Sequence, residues 1–174
     1  MSEFESPKNA FLVIGCGKAK IWDRKPYLDR VSAKDAYTSG LFRLCRLYAE
    51  TFYPGRWLIL SSRYGLVLPE EYIEKYDASF KSSRLSEKDT VITPEILKKQ
   101  CRYYFNDATK VVCIAGNEYT SILRSSLQEG VQMESPLAHM GLFARMAWLR
   151  SQVNNRNSSL ARSINNGGQG SIPH

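Results

Sequence analysis

The stretch Phe11-Leu-Val-Ile-Gly-Cys-Gly-Lys-Ala-Lys20 decides the fold, because it joins a buried strand to a tight basic loop. The same pattern, an apolar run followed by polar residues, returns after Trp57-Leu-Ile-Leu60, after Val111-Val-Cys-Ile-Ala115 and, more weakly, after Val131-Gln-Met133. Loops at the carboxyl ends of parallel strands share one edge of a sheet, and ligands bind at that edge. We therefore expect the four polar stretches to converge on one site.

Helical segments alternate with these strands. The predicted helices run from the candidate cap Ser39 to Phe52, from Thr93 to about Phe105, from Glu118 to about Leu127, and from near Met140 to Leu149. This alternation predicts an α/β fold of three layers, αβα, with a central, mostly parallel sheet of about four or five strands. We expect an irregular connection over residues 21–35. Residues 65–80 match neither a clean strand nor a clean helix, and an ordered connection of this length with many polar side chains is commonly functional.

The predicted domain organisation is simple. One α/β catalytic domain should span residues 10–152, since 174 residues suffice for a single core. Residues 153–174 are rich in Asn, Ser, Gly and Arg, and this composition predicts a polar tail that is disordered or becomes ordered on a partner.

The composition favours an anionic partner. Lys and Arg number 24 against 17 Asp and Glu, a formal net charge of +7, which is typical of proteins that bind nucleic acid or phosphorylated ligands. Four cysteines without C-x-x-C spacing and two histidines argue against a zinc site and favour free thiols in a reducing compartment. The first residues lack an apolar signal region, and no apolar run has membrane-spanning length. We expect a cytoplasmic protein with no metal, no cofactor and no membrane partner.

Three residues are candidates for catalysis. Asp77 follows a tyrosine, and a carboxylate desolvated at the sheet edge would serve as a general base, although a turn-capping Asp is a common alternative. Asn117 follows the clearest strand, where it would cap the next helix, orient a water molecule or contact a base. His139 is the only internal histidine, and lone histidines are more often structural than catalytic.

Further residues are candidates for binding. The glycine-lysine loop lacks the complete spacing of a phosphate-binding loop, so its alternative is a tight turn with solvated lysines. The helix that starts near Ser39 would offer free N–H groups to a phosphate. Arg63, Tyr64 and their neighbours would stack on nucleic acid, or else lie on an ordinary surface. The full predicted binding set is Cys16, Gly17, Lys18, Lys20, Tyr37, Ser39, Ser61, Arg63, Tyr64, Tyr76, Glu118 and Tyr119.

Five motifs together carry a family resemblance: CGKAK, YTSGLF, LSSRYGLVLPEEYIEKYD, AGNEY and SPLAHMGLFARMAWL. Over about residues 11–150 they resemble a family of small bacterial and phage proteins of unknown function, with the pattern C-G-K-x-K, Y-T-S-x-L-F, L-S-x-x-[YH]-G-L-[LV]-x-P and Y-D. A related pattern occurs in an accessory domain of archaeosine synthase. The resemblance implies a fold similar to uracil-DNA glycosylases. It also implies kinship with phage-defence DNA glycosylases that remove glucosylated hydroxymethylcytosine.

The expected function is therefore a DNA glycosylase that flips a modified cytosine out of phage DNA and hydrolyses its N-glycosidic bond as antiviral defence. We expect monofunctional hydrolysis, with a lyase reaction through Lys18 or Lys20 as the variant. The alternatives are a nucleotide- or nucleic-acid-binding sensor without catalysis, and a nucleoside or tRNA-base ribosyltransferase. The roles of Asp77, Asn117 and His139 come from the residues themselves.

Overall fold

The computed structural model of the chain describes residues 9–80 and 91–166. The strands are β1 Ala10–Gly15, β2 Arg30–Ser32, β3 Trp57–Ser61, β4 Gly65–Val67, β5 Tyr72–Glu74, β6 Lys110–Ile114 and β7 Gln132–Glu134. The helices are α1 Ala33–Ala36, α2 Gly40–Phe52, α3 Pro94–Tyr104, α4 Asn117–Ser126 and α5 Leu142–Asn166, with a 3-10 turn at Ile21–Asp23.

The central sheet has five strands in the order β4-β3-β1-β6-β7. β1 pairs in parallel with both β3 and β6, β6 pairs in parallel with β7, and only β4 is antiparallel to its neighbour. The predicted mostly parallel sheet is confirmed. β1 and β3 are buried almost throughout, which explains why both are continuous apolar runs in the sequence.

Alternate side chains of the strands build two cores. Leu12 and Ile14 of β1 face a core that includes residues of α2 and α5, while Val13 faces a core with residues of α3 and α4. The period of two follows from the pleat of a strand, whose successive side chains point to opposite faces. The helices cover both faces of the sheet, and the predicted three-layer αβα fold is confirmed.

The helix starts follow the predicted capping. The Ser39 hydroxyl accepts a hydrogen bond from the N–H of Phe42, and the Thr93 hydroxyl accepts one from the N–H of Ile96, with Pro94 next to the cap. Each cap satisfies one of the N–H groups that a helix start leaves unpaired. Both helices therefore begin where the sequence predicted.

One prediction about the connections is wrong. Residues 21–35 are not irregular, because β2 lies there and forms with β5 a second, two-stranded antiparallel sheet in which Val31 pairs with Ile73. The ordered connection over residues 65–80 contains both β5 and β4, and β4 adds the antiparallel edge to the main sheet. Strands of three residues with mixed polarity carry too little pattern to be recognised in the sequence.

The last helix also differs from prediction. α5 has 25 residues and continues to Asn166, well past the expected end at Leu149. The segment 153–166, for which the composition predicted disorder, is therefore helical, and residues 167–174 lie outside the described residues. Leu149 and Val153 pack into the protein, and from residue 157 to residue 164 the side chains of the helix are exposed. Within the described ranges, none of the helices combines the length and apolar character needed to cross a membrane.

Candidate functional site

A cleft of about 520 Å³ opens at the carboxyl ends of β1 and β6. It lies at a topological switch point, where the connections from two adjacent parallel strands leave to opposite faces of the sheet. β1 leads to α2 on one face, and β6 leads to α4 on the other. In open α/β sheets, ligands bind in the crevice at such a switch point. The lining residues are Gly15, Cys16, Gly17, Ser39, Leu41, Phe42, Cys45, Ile114, Ala115, Gly116, Asn117, Glu118, Tyr119, Leu137 and Arg145.

The loop after β1 is held tightly against α2. The N–H of Thr38 donates to the carbonyl of Ala19 at 3.0 Å, and Lys20 forms a β-bridge with Tyr37. A Cβ on Gly17 would lie 3.2 Å from the Ser39 hydroxyl that caps α2, a tight contact that a glycine avoids. These contacts bring the loop after β1 and the start of α2 together at the edge of the sheet, as predicted.

A buried chain of hydroxyl groups lies beside the loop, at the end of β3. The Ser61 hydroxyl accepts hydrogen bonds from the N–H groups of Arg63 and Tyr64, each at 3.2 Å, and donates to the Tyr76 hydroxyl at 3.0 Å. The hydroxyls of Tyr76 and Tyr37 are 2.7 Å apart. These hydrogen bonds fix the side chain of Tyr76, which is 4% exposed, beside the carboxyl end of β3.

Tyr119 connects the start of α4 to the same place. Its hydroxyl lies 3.3 Å from the Sγ of Cys16, and its ring packs edge-on against Phe80, with centroids 4.8 Å apart. The Ser62 hydroxyl donates to the carbonyl of Ala78 at 2.7 Å. The segment that follows β5 therefore crosses the ends of the strands and closes one side of the site.

The phenols of this site remain protonated at neutral pH. Burial raises the pKa of the Tyr37, Tyr76 and Tyr119 hydroxyls above the ordinary value for tyrosine. A negative charge on Cys16 would raise each pKa further. Each hydroxyl can therefore donate a hydrogen bond, but none is a base under physiological conditions.

The basic side chains lie at the outer edge. The Nζ of Lys20 stands 4.5 Å from the centroid of the Tyr76 ring, a cation–π contact, and Lys18 is exposed. The guanidinium of Arg63 lies 5.5 Å from the centroid of the Tyr64 ring. The edge thus offers positive charge beside aromatic rings, the combination predicted for contact with nucleic acid.

The three predicted catalytic residues occupy different surroundings. Asp77 is exposed although its neighbour Tyr76 is buried, so the expected desolvation of its carboxylate is wrong. Asn117 lines the cleft, but Gly116 and not Asn117 is the N-cap of α4. His139 is exposed and has a φ of +65°, in a turn directly after Leu137 of the cleft wall.

The structure brings together most of the predicted binding set. Cys16, Gly17, Ser39, Glu118 and Tyr119 line the cleft directly. The members that adjoin it through the hydroxyl chain and the loop contacts are Lys20, Tyr37, Ser61, Tyr64 and Tyr76.

Sequence reasoning missed several residues of the site. Arg145 belongs to the cleft wall although it lies on α5, far from the end of any strand. Leu137 lies in the polar stretch after β7 that was expected to reach the site, but it was not singled out there as a site residue. Phe80 was missed because an aromatic at the end of an irregular segment carries no periodic signal. Within residues 9–80 and 91–166, no group of three or more His, Cys, Asp or Glu side chains is arranged to hold a metal ion, and all four cysteines are free thiols.

Comparison with known proteins covers most of the chain. The profile described as "Family of unknown function (DUF6884)" matches residues 11–151, which include every lining residue of the cleft. The chain is also similar to "Uncharacterized protein YfjM" of Bacillus subtilis (strain 168), with 33% identity over 128 residues, which cover 72% of this chain and 82% of the relative. The chain therefore belongs to the DUF6884 family of unknown function.

Proposed function

We propose that this protein is a DNA glycosylase, which binds a flipped-out modified nucleotide in the cleft and hydrolyses its N-glycosidic bond. The observation that carries the proposal is the position of the cleft, at the switch point between β1 and β6, with Glu118 as its carboxylate. The cleft volume of about 520 Å³ lies within the range of small-molecule pockets, roughly 300–1,000 Å³. A modified cytosine of phage DNA is the substrate that the sequence motifs favour.

The surroundings of the cleft fit an extruded nucleotide. Unstacking a base from duplex DNA costs a few kcal/mol, which stacking on aromatic side chains and contacts to phosphates offset. Tyr119 and Phe80 supply aromatic surface beside the cleft. Lys18, Lys20 and Arg63 supply positive charge at its edge for the neighbouring phosphates.

Hydrolysis requires an anion near the sugar and a positioned water molecule. The bond between C1′ and the base nitrogen breaks, its electron pair leaves with the base, and the oxygen of water bonds to C1′. In the cleft, Glu118 accepts the proton of that water, and Asn117 orients the water or the base edge. Protonated phenols or His139 donate a hydrogen bond to the departing base.

Glu118 replaces Asp77 as the first carboxylate to test, because Glu118 lines the cleft and Asp77 is exposed. We expect Glu118→Gln to reduce base release about 10²–10⁴-fold, the usual contribution of a general base, and to leave DNA binding intact. The matched control is Glu129→Gln, since Glu129 is exposed and follows the far end of α4.

The assay incubates the full chain with oligonucleotides that carry glucosylated hydroxymethylcytosine or plain cytosine. Free base is measured by mass spectrometry and abasic sites by alkaline cleavage. Release of the modified base by the wild type, lost only in Glu118→Gln, supports the proposal. Loss in Asp77→Asn with full activity in Glu118→Gln would return the role to Asp77. Borohydride trapping of a covalent protein–DNA adduct would instead identify lyase chemistry through Lys18 or Lys20.

A non-catalytic binding module is the second candidate, and the content of the cleft favours it. Glycoside hydrolysis generally uses a pair of carboxylates, and among the described lining residues Glu118 is the one acidic side chain. If Glu118 serves only to contact the ligand, the protein would capture the nucleotide without cleaving it. Tight binding of modified DNA that stays intact, in wild type and Glu118→Gln alike, is the outcome that would establish this candidate.

A further inference from the structure

Arg145 is the cation of the cleft wall, and the reaction described above gives it no role. It lies in the first part of α5, where its backbone N–H donates to the carbonyl of Gly141 at 3.0 Å. Its Nε donates to the carbonyl of Met140 at 2.8 Å. This bond uses one of the five N–H donors of the guanidinium and fixes the orientation of the group, which leaves four donors on the two Nη atoms.

The charge of Arg145 has no carboxylate partner among the residues that the structure describes. Ion pairs in the described ranges 9–80 and 91–166 join Arg30, Lys34, Arg46 and Lys110 to carboxylates, and Arg145 takes part in none of them. Its side chain is nevertheless half-buried in the cleft wall. A partly desolvated, unpaired cation is unfavourable for folding, so a ligand is the natural source of its counter-charge.

The position within α5 strengthens this reasoning. Arg145 is the fourth residue of the helix, near the end where the backbone dipole is positive. A cation there is disfavoured, since cations stabilise the opposite end of a helix. An unfavourable charge of this kind, which nothing else in the protein compensates, is expected at functional sites.

The charge of Arg145 acts inside the cleft. Burial raises the pKa of the Cys45 thiol to about 12, and the positive charge of Arg145 partly opposes that rise. Among the described lining residues, Glu118 is the one acidic side chain and Arg145 the one basic side chain. The cleft therefore offers separate places for a positive and a negative part of a ligand.

We propose that Arg145 binds a phosphate group of the nucleotide that enters the cleft, through the N–H groups of its guanidinium. This inference rests on the proposed function and adds to it, because it makes the ligand a nucleotide with its phosphate and not a free base or nucleoside. Arginine suits this role, since its planar donor fork matches the geometry of phosphate oxygens.

The test measures binding of a deoxynucleoside 5′-monophosphate, the matched nucleoside and inorganic phosphate by titration calorimetry. Wild type should bind the monophosphate about tenfold or more tightly than the nucleoside, the effect of a charge-assisted hydrogen bond. Arg145→Gln should abolish this preference, and a circular dichroism spectrum that matches the wild type should show that the variant is folded. Arg145→Lys, which keeps the charge without the fork, should retain part of the preference.

The matched control is Arg150→Gln, because Arg150 lies on the same helix and is exposed. It should keep the full preference for the monophosphate. With oligonucleotides, log K falls as log[salt] rises, and Arg145→Gln should make this slope less negative by about 0.9, the contribution of one phosphate contact.

The outcomes separate this inference from the proposed function. A phosphate preference lost in Arg145→Gln supports the phosphate site even if no base is released from DNA, in which case the glycosylase proposal fails alone. Base release by the wild type together with an unchanged preference in Arg145→Gln overturns the phosphate site alone. Equal binding of nucleoside and monophosphate by the wild type, or no binding of either at 10 mM (a ceiling of about −2.7 kcal/mol), also overturns it.

Discussion

Gly65→Ala is expected to destabilise the protein far more than Gly55→Ala, although both glycines have a φ of +72°. A Cβ on Gly65 would overlap the Oε1 of Gln100 and the Cδ1 of Ile92, whereas a Cβ on Gly55 would have nothing within 4 Å. Gln100 holds the turn between β3 and β4, since its Nε2 donates to the carbonyl of Tyr64 and its Oε1 accepts from the N–H of Leu66, both at 2.9 Å.

The expected magnitudes follow from these contacts. The left-handed conformation costs an alanine about 1–2 kcal/mol at either position. At Gly65 the displaced Gln100 loses two hydrogen bonds, worth about 1 kcal/mol each, and leaves half-buried backbone groups unpaired. We therefore expect a loss of about 3–5 kcal/mol in the free energy of unfolding for Gly65→Ala and about 1–2 kcal/mol for Gly55→Ala.

The assay is urea unfolding of both variants and the wild type, followed by circular dichroism, with the midpoints converted at a common slope. If the two variants lose the same free energy, the contact between Gln100 and the turn does not hold the edge of the sheet in the way described. A loss at Gly55 larger than at Gly65 would refute the reasoning altogether.

Two further predictions concern buried polar groups. Ser61→Ala removes the acceptor for the N–H groups of Arg63 and Tyr64 and the donor to Tyr76, so it should lower the free energy of unfolding by about 2–5 kcal/mol. The control Ser125→Ala, at an exposed position, should lower it by less than about 0.5 kcal/mol. Equal losses in urea unfolding would contradict the buried chain of hydroxyl groups. Burial raises the pKa of Cys45 and Cys101 from 9.0 to about 12, so the folded protein keeps both protons at pH values where the unfolded chain releases them. The free energy of unfolding should be constant with respect to these thiols below pH 8 and should fall as pH rises from 9 towards 12, by up to about 1.4 kcal/mol per pH unit for each thiol. Cys45→Ala/Cys101→Ala should show a shallower decline, and an equally steep decline in that variant would contradict the assignment.

The core of the fold was predictable because its signals are local. β1, β3 and β6 are buried on both faces and read as uninterrupted apolar runs, and the caps Ser39 and Thr93 mark the helix starts. The pairing of β2 with β5 depends on residues 42 positions apart along the chain, such as Val31 and Ile73, and no local pattern specifies such a contact.

The site was predictable where its residues follow strands or, like Ser39, cap a helix. Cys16 and Tyr119 were found because strand ends converge at one edge of a parallel sheet. Arg145 could not be found in this way, since it reaches the cleft through the packing of α5 against α2. The burial of Asp77 was predicted wrongly because residues 75–79 lie in no helix or strand, so no periodic pattern in the sequence separates the buried Tyr76 from the exposed Asp77.

The central claim is that the ligand binds at the switch point between β1 and β6. The most direct measurement is amide chemical-shift mapping by NMR, with an oligonucleotide that carries the modified cytosine added to the labelled full chain. The largest shifts should fall on residues 15–17 and 116–119, together with the side chain of Arg145. Shifts confined to the exposed faces of α3 or the C-terminal half of α5, with these residues unaffected, would contradict the claim.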